Sequence, residues 1–100
     1  MTYEMFFEAV KSLLKRYYFE DLPDYKLVEY MKGQEDVIQD QFGYWAWQVD
    51  ENNEEITEES VAAMASGAAY SLYLLYEGQA SFLIKEVQLY VLFWQEKMVL

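Results

Sequence analysis

One hundred residues suit one domain and leave no room for a second. A hydrophobic share of 54% and an aromatic share of 19%, with ten tyrosines, exclude a disordered chain, because burial on that scale offsets chain entropy. Eighteen acids against seven bases give a net charge of −11, which opposes non-specific binding to nucleic acid or an anionic membrane; zero Cys and zero His exclude disulfides, thiolate or imidazole metal sites and His-based triads.

The first predicted element is an amphipathic helix over residues 2–20. Tyr3, Phe6, Phe7, Val10, Leu13, Leu14 and Tyr17 recur at helical spacing, with Thr2 as cap. Glu4 and Glu8 come early and Lys15 and Arg16 late, the order the helix dipole prefers. Pro23 disfavours helix at Leu22 and suits a following first turn, so a short second helix over 24–32 is expected to end near Gly33. It extends in register through 34–42. Residues 44–49 fit two periods: Ile38, Phe42, Trp45 and Val49 make a helical stripe, while Trp45, Trp47 and Val49 alternate as a short extended segment would.

The sharpest local signal follows. Thr57 stands at an N-cap, Glu58 and Glu59 fall in the positive first turn, and Ile56 with Val61 completes a hydrophobic staple. A helix over 58–77 is predicted, with Val61, Met64, Ala65, Ala68, Leu72, Leu75 and Tyr76 inward and Gly78 as its stop. Ala63, Gly67 and Ser71 invite close approach by another helix. A last helix over 80–98 carries Leu83, Val87, Tyr90, Val91, Trp94 and Met98 on one face. The expected fold is mainly α, a small bundle of about four helices spanning 1–100 as one acidic domain.

Neither apolar stretch reads as a membrane span. Residues 60–76 are 17 uncharged positions, but four are Ser or Gly and five are Ala, and residues 87–95 lie between charged flanks. The N-terminus lacks the basic region and cleavage site of a secretory signal, so a cytoplasmic location is expected.

The acids are concentrated. Residues 33–59 hold Glu35, Asp36, Asp40, Asp50, Glu51, Glu54, Glu55, Glu58 and Glu59 with no base, a charge of −9. Residues 1–32 and 60–100 are each near neutral. As a calcium loop the segment fails: Asp50, Asn52 and Glu54 take the first, third and fifth positions, but Glu55 replaces the turn glycine and Val61 the bidentate glutamate. Di-iron bundle chemistry needs Glu-x-x-His, and the four glycines are isolated rather than gathered in a phosphate loop. Lys11, Lys15 and Arg16 beside Tyr17 and Tyr18 share their helix with acids, which makes a poor nucleic-acid patch. No enzyme, no metal and no cofactor is therefore expected.

Tyr44, Trp45 and Trp47, set between carboxylates, look like interface anchors ringed by charge. Two positions apart on a helix, the two tryptophans face different ways, so one belongs at the rim. The expected function is non-catalytic binding of a basic protein surface through the acidic segment and these aromatics. Its sharper form is an antagonist, such as a phage or mobile element would deploy, that fills the nucleic-acid groove of a DNA- or RNA-handling protein. An immunity or antitoxin protein facing a basic toxin is equivalent on charge grounds. The second class is a self-assembling homodimer, structural or regulatory, joined through Gly67, Tyr70 and Tyr73, and no direct nucleic-acid or membrane contact is expected in any of these.

Overall fold

A computed structural model describes residues 1–85, with side chains described through residue 78; of the predicted last helix over 80–98, residues 80–85 continue the preceding helix and the rest lies outside the described residues. Four helices follow in order: α1 (Tyr3–Tyr17), α2 (Asp24–Gly33), α3 (Glu35–Asn52) and α4 (Glu58–Lys85).

The caps explain the boundaries. The Thr2 hydroxyl accepts from the Met5 N–H at 3.1 Å, satisfying one of the orphan donors of α1. This helix stops at Tyr17, short of the predicted residue 20, because the chain tightens there. The Phe19 N–H donates to the Leu14 carbonyl at 2.7 Å, and the turn drives the Phe19 ring into the core. Lys15 ties the same turn by donating to the Leu22 carbonyl and pairing with Asp24 at 3.7 Å.

Only Gln34 separates α2 from α3. Its N–H still bonds back to Tyr30 and Met31 while its carbonyl starts the next helix through Val37 and Ile38. The two form one bent arm, as the predicted extension through 34–42 implies. The extended segment at 44–49 is corrected: helix continues to Asn52. A strand there would need a neighbour for its N–H and C=O groups, whereas helix satisfies them locally and turns Ile38, Phe42, Trp45 and Val49 onto the core. Asn53 then closes α3 in the left-handed region at φ 51°, and the Glu54 N–H returns to the Val49 carbonyl at 3.1 Å.

Thr57 opens α4 with a reciprocal cap. Its hydroxyl accepts from the Ser60 N–H at 3.0 Å, and the Ser60 hydroxyl accepts from the Thr57 N–H at 2.9 Å. Gly78 does not end the helix as predicted; with no proline nearby and good helix formers around it, α4 continues to Lys85.

Phe6, Val10 and Leu14 of α1 recur every fourth residue and are fully buried against Ala65, Ala68 and Leu72 of α4 together with Leu27, Met31 and Ile38. Burying each large side chain stabilises by about 1.5–3 kcal/mol. The alanines of α4 let α1 approach closely. Tyr18, just past α1, stacks on Tyr73 at 4.6 Å, and the buried stretches of both helices precede that stack. The two helices therefore run side by side in one direction, with the α2–α3 arm joining them in the chain and packing against both. Tyr18, Tyr30, Tyr73 and Tyr76 gather at one end, and the turn between α3 and α4 lies at the other.

Candidate functional site

An α-helix turns about 100° per residue, so each side chain of α3 has a fixed bearing. Asp36, Asp40, Gly43, Trp47, Asp50 and Glu51 fall within about 100° of arc, opposite the stripe of Ile38, Phe42, Trp45 and Val49. All six are exposed. At the border of the arc stands Tyr44. Trp47 is 56% exposed and Tyr44 54%, while Trp45 turns inward against the core, the split that a two-residue offset requires.

A ladder of side-chain hydrogen bonds steadies the aromatic border. The Tyr44 hydroxyl accepts from the Gln48 amide at 3.2 Å, and the Gln48 carbonyl accepts from the Asn52 amide at 3.3 Å, each one turn further along. Tyr44 meets Trp45 edge-on at 5.0 Å, so the exposed ring is braced by the partly buried one.

Glu35 stands apart from the other candidates. It is half-buried in the first turn of α3 and accepts from the Tyr3 hydroxyl at 3.3 Å. Burial first, and the neighbouring carboxylate second, push the Tyr3 hydroxyl above its ordinary value. Glu54 and Glu55 lie exposed in the turn, and Glu58 and Glu59 line the start of α4, where the dipole favours them. Asp50 and Glu51 are placed the other way. They occupy the last turn of α3, at the negative end of its dipole, with no base in that turn. The ion pair found among the described residues joins Lys15 to Asp24, far from this face in sequence. Each misplaced carboxylate costs about 0.3–1 kcal/mol.

Gly43 adds a further local cost of about 1 kcal/mol against alanine, and packing among the described residues gives no reason for it, since a Cβ there would meet none of them within 4 Å. Exposed tryptophan, acids at the wrong helix end and an unforced glycine thus share one face. Such rule-breaking clusters where function overrides stability.

The face predicted for self-association is divided. Gly67 and Tyr70 are exposed, and a Cβ on Gly67 would meet nothing among the described residues, so no close helix approach occurs there within them. Tyr73 is already taken by its stack on Tyr18. Sequence reasoning missed the cluster this stack belongs to: Phe19, Tyr30 and Tyr76 meet edge-on at 4.9–6.4 Å, and the Tyr30 hydroxyl donates to the Leu72 carbonyl at 2.7 Å. Burial first, and then Tyr76, push the Tyr30 hydroxyl up to about 12. Tyr70, Tyr73 and Tyr76 already marked this helix face as aromatic, but their partners lie up to 57 residues away, beyond the reach of local spacing.

Two surface hollows lie away from α3, one beside Tyr18 and Leu22, the other among Glu8, Lys11, Arg16 and Asp24. The second also holds Ser12 and Lys15, and its Lys15 is engaged by the Leu22 carbonyl and Asp24. Among the described residues no three acidic side chains come together to hold a metal ion, and no helix is long and apolar enough to cross a membrane. Compared with protein-family models, curated proteins and solved structures, the chain matches none.

Proposed function

We propose that this chain is a non-catalytic binding protein that docks a basic protein surface on the outer face of α3 and the turn after it. One observation carries the reading: Trp47, with Tyr44 at its border, stands more than half exposed midway along a helix face whose two ends are carboxylates and whose segment contains no base. A central aromatic anchor with flanking charge is the anatomy of an interface hot spot, the charges steering and orienting the partner.

Spacing bears on the sharper form. Asp40 and Asp50 are ten residues apart, about 15 Å along the helix, and aromatics fill the interval. A nucleic-acid strand carries a charge every ~3.4 Å, so this face imitates a phosphate ladder only at its ends. Occupation of a nucleic-acid groove would therefore place the carboxylates over phosphate-binding residues and Trp47 in the space of a base. An immunity or antitoxin role uses the same face against a basic toxin.

Retention of a basic protein on the immobilised chain, read along a salt gradient, tests the proposal. The carboxylate contacts should release it at moderate salt, and Asp50→Asn with Glu51→Gln should shift release to lower salt. Retention that both salt and these substitutions leave unchanged would remove the acidic face from the function.

Homodimerisation is the second reading, favoured by the outward face of α4, where Gly67, Tyr70 and Leu74 are exposed on the uncharged stretch 60–76. An apolar self-contact should survive high salt, so light scattering at low and high salt separates the two.

A further inference from the structure

Resting on the docking reading above, we propose that the partner presents an arginine, whose guanidinium lies over the bare backbone at Gly43, stacked on Trp47 and paired with Asp40. Gly43 lies between these two residues on the outward arc, with Asp40 about 4.5 Å before it along the helix axis and Trp47 about 6 Å after it. Among the described residues, chain neighbours aside, no side chain comes within 4 Å of where a Cβ on Gly43 would stand. On the outward arc this open position has an exposed indole on one side of it and an exposed carboxylate on the other.

That shape and charge select among cations. A guanidinium is planar and weakly hydrated, stacks on an aromatic face and presents paired N–H donors that match a carboxylate. A lysine ammonium has neither the plane nor the fork, and it holds its water more tightly. Any side chain at position 43 would hold the guanidinium off the indole, which gives the unforced glycine a reason. The remaining carboxylates, Asp36 at one end and Asp50 and Glu51 at the other, then meet further basic residues of the partner.

Two peptides of equal length and charge, one alternating Arg with Ser and the other Lys with Ser, test this by titration against the full chain with tryptophan fluorescence as readout. The arginine peptide should bind about tenfold more tightly, and both Gly43→Leu and Trp47→Ala should cut that advantage to about twofold or less. Equal binding of both peptides overturns the arginine assignment while leaving the docking face intact. An arginine preference that survives Gly43→Leu overturns the placement at Gly43. Failure of both peptides to bind even at low salt overturns the docking reading itself.

Discussion

Tyr30 shows how a single side chain joins packing to protonation. Its hydroxyl ties α2 to α4 by donating to the Leu72 carbonyl, a group already inside the helical ladder. Removing the donor in Tyr30→Phe should cost about 1 kcal/mol, or roughly 4–8 °C in melting temperature for a domain of this size. A tyrosine held neutral in the fold stabilises fully below its ordinary value of 10.0, and that contribution disappears as pH rises through about 12. Tyr3 is raised as well, so it adds to the loss in the same direction. Melting followed from pH 9 to 12 should therefore show stability falling above pH 10, less steeply in Tyr30→Phe. Parallel curves for the two proteins would mean that Tyr30 ionises as freely in the fold as outside it.

At the scale of the element, α3 departs furthest from what its stability alone would choose. Asp50 and Glu51 oppose the helix dipole, and Asn53 follows in a left-handed turn with Glu54 and Glu55 behind it. Asp50→Asn with Glu51→Gln should therefore raise stability by about 0.5–2 kcal/mol at low salt, with the gain shrinking as salt rises. The same pair should weaken partner retention. A variant that is less stable than the parent would show that these carboxylates have stabilising partners in the protein. The length of α3 was only half legible in the residues, because Trp45 and Val49 satisfy a strand period through Trp47 and a helix period through Phe42. Tertiary packing of Ile38 and Phe42 decides between them. The starts of α1 and α4 were fully legible, since Thr2 and Thr57 act on donors three residues away. Ends were less so: Phe19 leaves α1 early for a long-range reason, and Gly78 is a weak stop that neighbouring helix formers override.

Among the described residues, one packed tyrosine cluster and the acidic turn lie at opposite ends of the direction shared by α1 and α4. Tyr18, Tyr30, Tyr73 and Tyr76 close one end by packing on one another, and Lys15 and Arg16 lie in the last turn of α1 near them. The other end carries the acidic turn, with α3 presenting its outward face beside it. The division of the tryptophans was legible from their two-residue offset, and so was the acidic segment itself. The withdrawal of Glu35 to Tyr3 was not, because its partner lies 32 residues away. The arrangement leaves one face on which exposed aromatic surface and uncompensated charge coincide among the described residues, and the central claim is that a partner docks there. Its most direct test compares partner retention by Trp47→Ala and by Tyr25→Ala at fixed moderate salt. Tyr25 is 70% exposed, more than Trp47, but sits on α2, away from the acidic face. Trp47→Ala should lower affinity at least tenfold while Tyr25→Ala leaves it within about twofold; equal losses, or a loss only in Tyr25→Ala, would contradict docking on α3.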